Sequence, residues 1–167
     1  MPGDVFDPIA VLQALDRRRV TYIVVGGLGR VILGNDELTD GVDIVPSTRE
    51  ENLRRLELAL EDLNARQPNG KLPRLEEDLA RQPVLELATD AGELKIVPEP
   101  AGTRGYDDLR RATTREPLGH GLRPSVASLG DHARMLAALG RDEDQVPLRT
   151  LRRLIELEHG IGRGIDL

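Results

Sequence analysis

The chain has 167 residues, enough to close one hydrophobic core and short for two. Its 23 Lys+Arg against 29 Asp+Glu leave a net charge of -6, which excludes broad, sequence-blind attraction to a nucleic-acid backbone. Aromatics at 2% exclude base-stacking platforms, and the lack of cysteine excludes disulfides and thiolate metal sites. A hydrophobic content of 39% with 31% charged residues describes a globular chain whose core is Leu, Val, Ile and Ala. No N-terminal apolar run is long enough for a signal peptide or a membrane span, so cytoplasmic residence without a membrane partner is expected.

Residues 8–18 space Ile9, Leu12 and Leu15 about one helical turn apart, with Asp7 as cap and Pro8 in the first helical position. Val20 to Val25 reads as a β-branched strand broken by Gly26-Gly27, and Leu28 to Leu33 as a short helix stopped at Gly34-Asn35. Gly41 to Pro46 alternates as a half-buried strand. Ser47 or Thr48 is the expected cap of a helix reaching about Ala65, with Leu53, Leu56, Leu60 and Leu63 as its stripe. Gln67 to Pro73 is a loop, followed by a turn or two of helix over Leu75 to Ala80.

Val84 to Ala88 and Glu93 to Val97 flank Thr89-Asp90-Ala91-Gly92 as a hairpin. A short helix over Tyr106 to Ala112 leads to extended pieces near Arg115 to Leu118 and Leu122 to Val126. Two helices, Leu129 to Leu139 and Pro147 to Glu158, close the chain, with a frayed tail from Gly160. Arg104, Arg110, Arg111, Arg115 and Arg123 concentrate positive charge, either to guide a phosphate-rich acceptor or as a solvated face. His120, His132 and His159 are scattered and do not suggest a metal site.

The chemistry is concentrated in Val24-Val25-Gly26-Gly27 and Thr39-Asp40-Gly41-Val42-Asp43-Ile44-Val45. Glycine amides at a helix start can approach and donate to phosphate oxygens, and carboxylates at i, i+2 on a strand share a face where they hold Mg²⁺. These two segments resemble the signature of the nucleotidyltransferase superfamily, especially its AbiEii-like and MenT-like toxin branch. There a strand ending in Gly-Gly or Gly-Ser precedes a strand bearing Asp-x-Asp. Gly92 to Pro98 resembles the strand of the third carboxylate, and Pro100 to Leu109 and Ser128 to Asp131 resemble later segments, so the likeness spans about residues 8–158.

The resemblance implies a mixed β-sheet flanked by helices, an α/β (α+β) fold with a core over residues 1–127 and a helical C-terminal part over 128–167. It also implies a nucleoside triphosphate at Gly26, Gly27 and Arg30, and Mg²⁺ on Asp43. The chain departs from the pattern in three places. Gly41 stands for the first Asp, Lys95 for the third carboxylate, and Leu136 for a lysine of the C-terminal helix. Asp40 shares the face of Asp43 only through a bulge at Gly41. Lys95 brings a fixed positive charge to the place of a cation, as an anion-site residue or a solvated strand residue.

Three functions follow from this. The leading one is nucleotide binding with weakened or lost transfer. The second is a working metal-dependent transferase whose altered shell combines Asp43 with Asp40 or Glu93, and whose acceptor is RNA, protein or a small molecule. The third is a non-enzymatic module that pairs with a protein partner such as an antitoxin.

Overall fold

A computed structural model describes residues 5–165, with side-chain surroundings for residues 5–160. Asp7 caps α1 (Pro8–Arg17) by accepting from the Ala10 amide, which satisfies one of the unpaired donors at the helix start. The chain then forms β1 (Tyr22–Val25), α2 (Gly26–Ile32), β2 (Gly41–Pro46), α3 (Glu50–Asp62) and α4 (Leu75–Arg81). The hairpin β3 (Leu85–Thr89) and β4 (Gly92–Ile96) follows, then α5 (Tyr106–Leu109) with a 3-10 turn at Arg110–Ala112. The short strands β5 (Thr114–Arg115) and β6 (Ser125–Val126) precede α6 (Leu129–Leu139) and α7 (Gln145–Ile165).

The six strands form one mixed sheet in the order β3-β4-β2-β1-β6-β5. β1 runs antiparallel to β2 and parallel to β6, while β2 runs parallel to β4. Alternation decides what each face carries, because residues paired across strands share a face. Val24, Val42, Ile44, Leu94, Ile96, Leu85 and Leu87 form one fully buried face. They join a core with Val11, Leu12 and Leu15 of α1 and Leu56, Ala59 and Leu60 of α3. On the other face, Ile23, Val25 and Val45 pack with Leu109, Ala127 and Met135 in a smaller cluster.

Several local expectations are corrected. β1 begins at Tyr22 rather than Val20, and α2 begins at Gly26 rather than Leu28. α3 starts at Glu50 after Arg49 with no side-chain cap hydrogen bond, so neither Ser47 nor Thr48 caps it. Its first turn instead carries Glu50 and Glu51, which interact favourably with the positive end of the helix. The buried Asn52 of α3 accepts from the Thr21 amide and donates to the carbonyls of Thr21 and Ser47, tying the start of β1 to the end of β2. α7 continues through Gly160 to Ile165, where fraying was expected. The last two residues of that tail lie outside the described residues.

Candidate functional site

β1 ends where α2 begins, and Gly26 makes that junction with φ of +67°, a conformation that L side chains rarely adopt. A Cβ on Gly26 would run into the Asp43 carboxylate, with Cγ 2.9 Å away. The glycine turn and Asp43 are therefore in direct apposition, as the antiparallel pairing of Val25 with Asp43 requires. Gly27 faces Thr39, whose Oγ1 lies 3.2 Å from the place of a Cβ. The Thr39 hydroxyl donates to the Gly41 carbonyl at 3.2 Å, fixing the entry of β2.

Two rows cross β2, β4 and β3 on the face opposite the core beneath α1 and α3. In the first, Asp43 pairs with Lys95, and Lys95 with Glu86; in the second, Gly41 pairs with Glu93, and Glu93 with Ala88. Lys95 thus stands beside Asp43 as expected. Its ion-pair partner, however, is Glu86 at 4.0 Å. Gly41 lies close against β4: a Cβ there would meet the Glu93 carbonyl oxygen at 3.3 Å and the Glu93 Cβ at 3.4 Å, so a side chain at this position fits only if Glu93 gives way slightly. A shallow cleft lined by Arg66, Gln67, Glu86, Ala88 and Glu93 continues this polar face toward the β3 edge.

Burial pushes the Asp43 carboxyl above the ordinary aspartate range. Lys95 and Arg30 pull it down, while Glu93 and Asp40 push it further up. Asp40 itself is exposed and lies one residue before β2, whose pairing with β4 is regular from Gly41 to Ile44, and its charge is felt by the Asp43 carboxyl. Among the described residues, no three His, Asp or Glu side chains gather closely enough to hold a metal ion. The protein donors alone do not fit a complete Mg²⁺ cage; one or two carboxylates suffice only when substrate phosphates supply further oxygens.

Arg30 reaches back from α2 toward the glycine turn, its Nη2 3.9 Å from the place of a Cβ on Gly27. It also forms a bidentate pair with Glu37, at 2.8 and 2.9 Å, with little exposure of either side chain. Asn35 donates to the same carboxylate. Burial pushes the Glu37 carboxyl up, but the hydrogen bonds from Arg30 and Asn35 outweigh it and hold Glu37 below the usual range.

His132 of α6 closes this cluster from behind. It is completely buried, neither ring nitrogen has a hydrogen-bond partner, and burial first, then Arg30, lowers its pKa to about 3. Its ring lies so close to Gly29, 2.8 Å from the place of a Cβ, that α2 tolerates no larger residue there without displacement. Sequence reasoning singled out neither Glu37 nor His132. The signal for His132 was its place one turn before the buried Met135 and Leu136. Arg104, Arg110, Arg115 and Arg123 border clefts around Tyr106, near Thr21 and Ser47. Those residues mark the end of β1 and β2 remote from Asp43. Two of the arginines are partly engaged locally, Arg110 with Asp107 and Arg115 with the Arg123 carbonyl.

No protein-family model and no curated protein matches the sequence. Solved structures do match over most of their length. A lincosamide antibiotic adenylyltransferase, LnuA, solved with lincomycin bound, has a TM-score of 0.63 at 14% identity, covering 90% of this chain and 98% of that one. The antibiotic-resistance factor ANT(2'')-Ia has a TM-score of 0.61 at 14% identity, covering 95% of this chain and 90% of that one. A candidate nucleotidyltransferase from Thermotoga maritima has a TM-score of 0.55 at 20% identity, covering 87% and 93%. At these identities the likeness speaks for architecture, and the chain has the nucleotidyltransferase fold.

Proposed function

We propose that this protein takes a nucleoside triphosphate at the turn formed by Gly26, Gly27 and Arg30, and transfers its nucleotide poorly. The observation that carries this reading is the row beside the glycine turn: Asp43 apposes Gly26, a lysine stands next to it, and a glycine occupies the position two residues before it. Backbone amides at the turn suit phosphate oxygens, and Lys95 adds positive charge where the toxin-type pattern has a carboxylate. The Gly-Gly, Thr39 and Asp43 positions support the AbiEii-like or MenT-like branch, with an antitoxin as protein partner and RNA as one acceptor, while Gly41 and Lys95 depart from its pattern.

Calorimetric titration of ATP and GTP, with and without Mg²⁺, tests the binding. Incubation with labelled nucleoside triphosphates, Mg²⁺ or Mn²⁺, and total RNA or candidate proteins tests the transfer. Robust labelling by the wild type, abolished in Asp43→Ala, overturns the claim of weak transfer. Gly41→Asp with Lys95→Asp restores both carboxylates and is expected to strengthen metal-dependent binding more than either change alone, since the groups act as one unit around the ion. A stable protein partner without nucleotide affinity favours a pure interaction module.

A second reading, a working transferase, draws support from Glu93. It lies in register with Gly41 on the face of Asp43, and its charge is felt by the Asp43 carboxyl. Two carboxylates with phosphate oxygens make a sufficient shell for Mg²⁺. Adenylyl transfer to a small molecule, as in the lincosamide adenylyltransferase and in the ANT(2'')-Ia complex with adenylyl-2''-tobramycin, is then the reaction class to assay. Glu93→Gln separates the readings: it abolishes labelling in the second and leaves weak labelling unchanged in the first.

A further inference from the structure

The pair between Arg30 and Glu37 combines three properties that a loop tether does not need together. It is bidentate and nearly sequestered, with side-chain exposures of 13% and 12%. Its guanidinium borders the Gly27 turn. Its carboxylate is gripped a second time by Asn35, itself buried. A guanidinium offers the same two-pronged fork to a carboxylate and to a phosphate. Glu37 engages Nε and Nη2, and Nη2 is the atom that Arg30 brings within 3.9 Å of the place of a Cβ on Gly27, so a phosphate arriving at Gly27 meets a fork already taken by a carboxylate.

We infer that Glu37 is an internal competitor for Arg30, which a polyphosphate chain must displace, so that this carboxylate sets the affinity of the site for nucleoside triphosphates. The inference rests on the nucleotide-binding reading and adds to it a residue that opposes binding. Displacement has a real cost, because it leaves a desolvated carboxylate with only Asn35 beside it. The ligand chemistry that can meet that cost is a phosphate chain carrying several charges and long enough to touch both Gly27 and Arg30. The direction of the expected effect is unusual: breaking a sequestered ion pair normally harms a protein, whereas here it improves binding.

The test is calorimetric titration of inorganic tripolyphosphate and of ATP into wild type, Glu37→Gln, Arg30→Ala and the double variant, with thermal unfolding of each. Glu37→Gln is expected to bind tripolyphosphate about tenfold more tightly than wild type, on the order of one charge-assisted contact no longer broken. Arg30→Ala should cancel that gain in the double variant. In wild type, the Arg30 Nε–H resonance should move on saturation with tripolyphosphate; this readout decides the matter if Glu37→Gln does not fold. Wild-type binding that Glu37→Gln leaves equal or weakens, or an Arg30 signal unmoved at saturation, overturns the inference and leaves the nucleotide reading standing. Absence of binding by wild type and every variant removes both.

Discussion

The two faces of the β2-β4-β3 sheet are made by the same strands and obey opposite rules. On one, Val42, Ile44, Leu94, Ile96, Leu85 and Leu87 are sealed beneath α1 and α3. On the other, Gly41, Asp43, Glu93, Lys95 and Glu86 stand partly or fully open. The hydrophobic core lies on the first face and the candidate site on the second, and a one-residue shift in register would exchange them. Leu94→Ala is expected to cost about 2–5 kcal/mol in urea denaturation, because it removes buried methyl groups and leaves a cavity. Glu86→Ala, across the sheet, is expected to stay within about 0.5 kcal/mol. Equal losses in the two variants would mean that the open face is structural.

The junction of the faces is Gly26, where backbone conformation and the Asp43 carboxylate compete for the same space. Gly26→Ala is expected to cost about 1–3 kcal/mol, since its φ of +67° strains any L residue and its methyl displaces Asp43. The same variant should lose ATP affinity, measured calorimetrically on the folded protein. Unchanged stability and affinity would place Asp43 elsewhere in solution.

Packed against Gly29 of α2, His132 couples stability to pH. Its folded pKa of about 3 lies below the ordinary value of 6.5, so the native state keeps it neutral while the unfolded chain takes up a proton. The stability tied to neutral His132 is complete above pH 6.5 and is lost as pH falls toward 3. His132→Leu removes that acid-side slope, together with two ring nitrogens that have no partner. At pH 7 its net effect should be small, about 1 kcal/mol in either direction, because lost packing and relieved desolvation oppose each other. At pH 5 it should be more stable than wild type relative to their difference at pH 7. Parallel pH profiles for the two proteins would show that His132 is not buried neutral.

What was legible in the sequence follows the same division. Apolar alternation in Val42-Asp43-Ile44 and Leu94-Lys95-Ile96 exposed both the strands and their buried faces, because period two is imposed by the backbone itself. Helical spacing located α1 and α6 closely, and Asp7 was also legible as the cap of α1; the Ser128 cap of α6 emerges from the structure. Two of the missed helical stretches share one reason: glycine has low helix propensity, so Gly26-Gly27 reads as a turn and Gly160 as a stop. At the candidate site, Asp43, Gly26, Gly27 and Lys95, which the fold brings together, were legible as local motif positions. Glu37 and His132 were not, because an ion pair formed across a loop and a histidine buried between helices depend on tertiary packing, which leaves no short-range pattern.

The smallest expected effect is also the sharpest test of the open face. Lys95 is about a third exposed and 4.0 Å from Glu86, so replacing it should change stability by no more than about 0.5 kcal/mol. Its influence on Asp43 is a different quantity. Burial already raises the Asp43 carboxyl, and the positive charge of Lys95 is the largest influence opposing that rise. Lys95→Met should therefore move the Asp43 midpoint further upward, read from its carboxyl carbon resonance across a pH titration. The linkage has a definite sign. An acid with a raised native pKa binds its proton more readily folded than unfolded, so stability falls as pH rises from the ordinary aspartate value to the raised one. Lys95→Met widens that window, and Asp43→Asn abolishes it. A midpoint that stays fixed in Lys95→Met would mean that Lys95 spends its charge on Glu86 alone. It would also remove the reason for regarding the lysine as a substitute for a cation beside Asp43.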